Sequence, residues 1–378
     1  MSPSAQAGSP SLRARADGPR IALIFPRLSH QGGTERRAAS FAQALVDRGL
    51  RVELHCAGAD IPPPGGASLS LFPGRAPRGR QAKAAWMSAS AEAAGQGAAL
   101  RVGFLRAEGF DVLRAGGGCH AEYMEATGRS GPVERWERDR DARAVLSARL
   151  VVVNSVLAGR GLRSGYGLPA ERLRLVRNGV QLDAFGGQPP AGPPRVVFIG
   201  HGFARKGLGL ALRAFQRLAD GALRGHALWV LGDDPQAWRY RLLAVALGIG
   251  DRVRFFGGSL GVAEALAGAR ALLLPTAYDP SANAVLEAMA AGVPPVTTRW
   301  DGAAELLPAP WLAVQERSPA AVAAALERAV QAPGLGEACR HVAAAQGADG
   351  ANARLLGVLA ELNDALPALG QGAARWVD

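Results

Sequence analysis

The stretch GGQPPAGPP, Gly186 to Pro194, sits in the middle of a chain of 378 residues. Four prolines and three glycines in nine positions deny it a helix or a central strand, so it is a linker. The same rhythm runs on both sides of it. Upstream, the apolar run RIALIFP (20–26) reads as a buried strand, RLSHQGG as a glycine-ended loop, and TERRAASFAQALVDRG as a helix stopped by Gly49. RVELHC (51–56), LRVGF (100–104) and LVVVNS (150–155) are further strands, with helices at about 79–94, 132–148 and 156–164. Downstream the pattern restarts. RVVFIG (195–200), ALWVLGD (227–233), RVRFFGG (252–258), ALLLP (271–275) and PPVTT (294–298) are strands separated by short helices. Such alternation predicts α/β architecture: two parallel-sheet units joined near residue 190, facing each other across a cleft. Ligands of open α/β sheets sit beyond the carboxyl ends of the strands, so the loops there are where chemistry is sought. Amphipathic helices at about 318–331 and 351–365 are expected to pack back across the domains.

Composition agrees with a globular chain long enough for two domains, with 48% hydrophobic and 20% charged residues. Residues 1–19 lack an apolar segment and read as a disordered tail rather than a signal peptide. No apolar run approaches the roughly 18 residues of a membrane span. Cys56, Cys119 and Cys339 show no zinc or redox spacing, so a cytoplasmic protein without disulfides is expected. The net charge of +11 is uneven. Residues 1–190 hold 26 basic and 16 acidic side chains, the remainder 17 and 16. The first half is therefore expected to meet an anionic partner, either a membrane surface or a phosphorylated substrate. Nucleic acid fits less well, because the basic residues lack the interleaved aromatics that base stacking needs.

The loop GHGFARKGLGL, between strand RVVFIG and the next helix, is neither a P-loop nor a complete dinucleotide fingerprint. It does set Arg205 and Lys206 at a helix N-terminus, where free amides and the macrodipole favour an anion. Only two of the 43 basic residues are lysine, Lys83 and Lys206, which singles out the compact ammonium in this loop. The alternative is a solvated basic pair capping the turn. In YDPSANAVLEAMAAGVP, Tyr278 to Pro294, Glu287 has no basic neighbour three or four residues away. A carboxylate in an apolar helix needs hydrogen bonds, and the vicinal hydroxyls of a ribose would supply them. An ion pair between the domains is the alternative, and an arginine neutralising Glu287 would count against the whole functional reading built on these residues. Asp279 reads as the N-cap of that helix, with Pro280 in its first turn and Gly292 at its end.

At these residues the chain resembles the retaining GT-B glycosyltransferases of family 4. Asp279-x7-Glu287 with AMAAGVPPVTT is similar to their E-x7-E signature, and FARKG to their donor-phosphate loop. HQGGTERRAASFAQALVDRG resembles their first glycine-rich loop and helix, and NSVLAGRGLRSGYGLPAERLRLVRNGVQLDAF the end of their first domain. The resemblance covers most of residues 20–310 and lies nearest to lipopolysaccharide core glucosyltransferases. It implies two Rossmann-like domains, 20–188 binding the acceptor and 189–350 the nucleotide-sugar, with a C-terminal helix in 351–378 returning to the first. It further implies that Arg205 and Lys206 hold the donor diphosphate and that Glu287 accepts from the ribose. Asp279 would contact the donor sugar, the amides of Asn283 and Ala284 would face phosphate or sugar, and Gly32 and Gly33 would let the backbone approach. Where the family has glutamate this chain has Asp279, one methylene shorter, which bears on sugar choice.

The implied donor is UDP-glucose, bound as substrate with no cofactor, and the implied acceptor a lipid-linked saccharide at the membrane's inner face. Cleaving a sugar–phosphate bond builds negative charge on the diphosphate, which cations and a helix N-terminus stabilise without a metal. Asp139-Arg140-Asp141 has the DxD form of a metal site but lies in ERWERDRDAR, a solvated helix face. Asp233-Asp234 reads as loop polarity. His120, after the glycine run AGGGC, is the candidate base facing the acceptor, although the leaving phosphate can itself take the proton. A GDP-mannose or other UDP-hexose user in capsule, exopolysaccharide or glycolipid synthesis, and a non-catalytic nucleotide-sugar binder, are the competing readings.

Overall fold

A computed structural model describes residues 18–29, 32–187, 192–366 and 374–376. Most of the expected tail, His30 and Gln31 of the first glycine-rich loop, and positions 188–191 of the linker lie outside them. The first domain carries β1 (Arg20–Ile24), β2 (Arg51–Cys56), β3 (Ala67–Leu71), β4 (Leu100–Gly103), β5 (Val112–Arg114), β6 (Leu150–Val153) and β7 (Leu173–Leu175). Its helices are α1 (Gly33–Val46), α2 (Arg80–Ala93), α3 (His120–Thr127), α4 (Pro132–Ser147) and α5 (Val156–Tyr166). The second domain carries β8 (Arg195–Ile199), β9 (Ala227–Leu231), β10 (Val253–Gly257), β11 (Ala271–Leu273), β12 (Pro295–Thr298) and β13 (Ala313–Val314). Its helices are α6 (Phe203–Lys206), α7 (Leu208–Leu218), α8 (Ala237–Ala246), α9 (Val262–Leu266), α10 (Asn283–Ala290), α11 (Pro319–Gln331) and α12 (Leu335–Ala344). The chain then returns as α13 (Ala348–Ala360) and β14 (Ala374–Arg375).

Both sheets are doubly wound and parallel but for the antiparallel edge strand β14, in the orders β14-β7-β6-β5-β4-β1-β2-β3 and β10-β9-β8-β11-β12-β13. Ile21 to Ile24 of β1 and Val196 to Phe198 of β8 are fully buried, because helices cover both faces of each sheet. The winding reverses between β1 and β4 in one domain and between β8 and β11 in the other. At each reversal the neighbouring loops diverge and leave a crevice, and the two crevices face each other.

The strands absent from the sequence reading are short or exposed. β5, β7 and β13 have two or three residues, and β3, at the sheet edge, is largely exposed. Such runs carry too little periodicity to stand out. The last helix, expected over 351–365, starts earlier at Ala348 and ends at Ala360. Its Leu355 and Leu359 are fully buried in the core that Leu23, Phe41 and Leu45 of the first domain form. Arg37 of α1 fastens it, donating to Asn352 Oδ1 and to the Ala351 carbonyl at 3.0 Å. β14 pairs antiparallel with β7, so the end of the chain belongs to the first domain's architecture.

Candidate active site

The two crevices open onto one cavity of about 820 Å³ between the domains. Gly32, Gly33 and His120 line it from the first domain, and Arg205, Lys206, Asp279, Asn283, Ala284 and Glu287 from the second. All nine residues singled out in the sequence therefore share one space.

The second-domain wall is built from the loops after β8 and β11. Gly207 joins α6 to α7 at φ +82°, and a Cβ there would lie 2.1 Å from the Pro275 carbonyl oxygen. Only glycine lets these loops touch. The contact carries Arg205 and Lys206 onto Asp279, whose Oδ2 accepts from Arg205 Nη1 and from Lys206 Nζ, each at 2.7 Å. Lys206 and Asp279 are both buried. Burial alone would raise the Asp279 pKa, but Lys206 and then Arg205 outweigh it and hold the carboxyl below its usual range.

Asp279 is not the N-cap expected. α10 starts at Asn283 after Ala282, four residues later, and Asp279 Oδ1 instead accepts from the Ser281 amide at 3.2 Å. The two cations claim the carboxylate, and a neighbour takes over the loop. Asp301 accepts from the amides of Ala282 and Ala303, each at 3.0 Å, and from Thr297 Oγ1 at 2.9 Å. Burial, with Asp279 nearby, pushes Asp301 up to about 6. Sequence reasoning passed over Asp301, whose one signal was an Asp-Gly pair just after strand PPVTT.

Glu287 is also not alone. Arg36 of α1 reaches it from the other domain, Nη2 to Oε1 at 2.9 Å. Here the alternative, an ion pair between domains, is what the structure shows. The partner lies about 250 positions away, so local helix spacing gave no hint of it. Taken alone, the pair weighs against a ribose site; yet the carboxylate stays in the cleft, and the guanidinium facing it is half exposed. Beside it the backbones approach closely. A Cβ on Gly33 would sit 2.9 Å from Asn283 Nδ2. Gly33 thus admits the side chain of a neighbouring domain. Asn178 bridges the same seam, donating Nδ2 to Asn283 Oδ1 at 2.7 Å and to the Ser281 carbonyl at 3.0 Å.

The first-domain wall is a charge network. His120 opens α3, with Nε2 2.9 Å from Glu134 Oε2, and its amide donates to Asp141 Oδ2 at 2.9 Å. Burial and the nearby Arg106 lower the His120 pKa against the pull of Glu134, so the ring is neutral near pH 7. Arg80 and Arg106 border the cavity and meet the acids of α4: Arg80 Nη1 lies 3.2 Å from Glu134, and Arg106 Nε 2.7 Å from Asp141.

The solvated reading of Asp139–Asp141 holds for one residue only. Asp139 is exposed, but Asp141 is buried, because it turns inward to gather Arg106, His120 and the Tyr166 hydroxyl. Among the described residues no three His, Cys, Asp or Glu side chains cluster as metal ligands would. Asp234 is likewise more than loop polarity, since its Oδ2 accepts from the Phe203 amide at 2.7 Å at the start of α6. Tyr278, adjacent to Asp279, reaches into the first domain, its hydroxyl accepting from the Cys119 amide at 3.0 Å. Glu122 lies close by, pushed up to about 7 by burial against the opposing effect of the Tyr278 hydroxyl. The cysteines are buried free thiols.

Two family models match the chain, Glycosyltransferase Family 4 over residues 31–184 and Glycosyl transferases group 1 over residues 193–332. The chain belongs to the group 1/family 4 GT-B glycosyltransferases. The chain is 34% identical over 113 residues to the lipopolysaccharide core biosynthesis glycosyltransferase LpsE of Rhizobium meliloti, covering 30% of this chain and 32% of LpsE. It is 26% identical over 221 residues to the lipopolysaccharide glucosyltransferase WaaG of Escherichia coli, covering 52% of this chain and 58% of WaaG. The matched stretches thus span less than two thirds of either relative. The crystal structure of WaaG superposes with a TM-score of 0.75 at 22% identity, over 88% of this chain and 97% of that one. Anabaena Alr3699/HepE, solved with UDP and glucose, gives 0.69 at 15% identity over 91% and 100%. These superpositions show the shared fold.

Proposed function

We propose that this glycosyltransferase moves a hexose, glucose from UDP-glucose, onto a lipid-linked or phosphorylated saccharide of the lipopolysaccharide-core kind, with retention and without a metal ion. The observation that carries the reading is the Arg205–Lys206–Asp279 cluster at the β8/β11 reversal, opposite His120 across the cavity. The lipopolysaccharide-core roles of LpsE and WaaG support the acceptor class, and the HepE complex supports the donor.

In this reading the donor diphosphate binds Arg205 and Lys206 beside the first-turn amides of α10, and Asp279 turns one oxygen to a sugar hydroxyl. Glu287 accepts from the ribose hydroxyls once Arg36 releases it. The bond from the anomeric carbon to the phosphate oxygen breaks, and its electron pair stays on the diphosphate. An acceptor hydroxyl adds to the same face, and its proton passes to the departing phosphate. The cations act where charge grows, which is the part of the barrier such sites lower most. Neutral His120, held by Glu134, orients the acceptor hydroxyl. The acceptor is met at the inner face of a cell membrane; among the described residues no helix is long and apolar enough to cross it.

UDP release from UDP-glucose without acceptor tests the donor half, and the anomeric configuration of a transfer product tests retention. Slow UDP release that Lys206→Ala abolishes supports the reading. Release from GDP-mannose alone would move it to another donor. A second reading, a nucleotide-sugar binder without turnover, has one observation in its favour: a single oxygen of the short Asp279 already serves both cations. Thermal stabilisation by UDP-glucose with no UDP release would select it.

A further inference from the structure

Trp238, Leu242 and Val245 of α8 are 57%, 61% and 68% exposed. Among the described residues no other element carries more than one large apolar side chain so uncovered. Spaced i, i+4 and i+7, they form one stripe along the helix. The opposite side is already occupied: Ala244 is buried, and the Tyr240 ring meets Phe203 edge-on at 5.5 Å. The helix is therefore apolar on two faces, with only one of them covered.

Its charge says what fits the other. From Ala237 to Gly250 there is no carboxylate, while Arg239 and Arg241 flank the stripe. Arg239 lies over the Trp238 ring at 5.4 Å and Arg241 over Phe255 at 5.0 Å, and among the described residues neither is paired with an acid. A second copy of the chain docking through this face would bring arginine against arginine about a two-fold axis. A lipid surface has no such conflict. Tryptophan settles at the headgroup boundary, aliphatic side chains enter the acyl edge, and arginines meet anionic headgroups.

We propose that α8 docks the second domain on an anionic bilayer. The inference rests on the membrane-borne acceptor of the proposed function only for its purpose; its evidence is independent. The test is sedimentation with vesicles of phosphatidylcholine alone and of equal parts phosphatidylcholine and phosphatidylglycerol. The wild-type protein is expected to sediment with the anionic vesicles at low salt. The triple variant Trp238→Ser, Leu242→Ser, Val245→Ser should partition at least about ten-fold more weakly. Arg239→Gln with Arg241→Gln should lose about five-fold per arginine on anionic vesicles alone. UDP release in vesicle-free solution should be unchanged in all of these, so a failure there speaks against the donor reading and not against docking. Three results would overturn the proposal. The wild-type protein stays in the supernatant, the triple variant sediments as well as wild type, or sedimentation velocity shows a dimer that the triple variant dissolves.

Discussion

The two walls of the cleft hold charge in opposite ways. On the second-domain side, two adjacent cations share one oxygen of a carboxylate some 70 positions further along the chain, packed where Gly207 lets backbone touch backbone. On the first-domain side, Arg80 and Arg106 are each balanced by acids of α4, and the neutral His120 ring lies within hydrogen-bond distance of Glu134. At Asp279 two cations meet one acid, whereas Arg80 and Arg106 each have an acid of their own, and Arg114 on the same wall meets only the Val176 carbonyl and Asn178 Oδ1. Under the proposed function, this difference would give strong, fixed binding to a donor on the second-domain side and adjustable, polar contact to an acceptor on the first.

The sharpest way to break this contrast is Asp279→Asn. Removing the carboxylate leaves buried Lys206 without the counter-charge it hydrogen-bonds, with only Asp301 nearby, and stability at pH 7 should drop by about 3 kcal/mol. Because the folded pKa of Asp279 lies below the unfolded value, its stabilisation is full above about pH 4 and disappears as pH falls through the folded pKa. Denaturant melts of variant and wild type should therefore converge in strong acid. Next, Lys206→Ala should cut UDP release by about 10²–10³, whereas Arg80→Ala should leave it within a few-fold and raise the KM for acceptor. Equal losses in both assays would erase the distinction between the walls.

A smaller effect tests the seam. Glu122, raised to about 7, holds its proton in the folded state above the pH at which the unfolded chain releases it. Stability should therefore decline between about pH 4.5 and 7, by on the order of 1 kcal/mol after solvent screening, and Glu122→Gln should remove that slope in thermal melts. Smallest is Arg36→Gln. Freed of its half-exposed partner, Glu287 should bind the ribose more readily, lowering the donor KM by at most about five-fold with kcat unchanged. A rise in KM would mean that Arg36 itself holds the donor.

How far the sequence could be read follows the same division. The loop carrying Arg205 and Lys206 stood out because a glycine-rich turn and a rare lysine lie within a few positions, although the pair falls in the last turn of the short α6 and not at a helix N-terminus as expected. The linker and the long buried strands were legible because proline, glycine and apolar runs act on the chain where they stand. The partners of Glu287 and Asp141 were not, since Arg36 and Arg106 come from distant elements that only the folded topology places beside them. Asp279 was misread for a related reason. Its position before a helix suited an N-cap, and nothing nearby revealed that two cations from another loop would outcompete the amides. The exposed face of α8 escaped because a helix apolar on both sides gives no contrast between core and surface.

The return of α13 bears on how the molecule is made. Leu355 and Leu359 complete a core begun by Leu23 and Phe41, more than 300 positions earlier. A ribosome delivers those early residues first, so the leading half waits with an open seam on its interior until the last turns emerge. Cutting the gene at the proline-rich joint would not yield two self-sufficient halves. The front piece would lack its final helix, and the tail piece would carry that helix with nothing to cover.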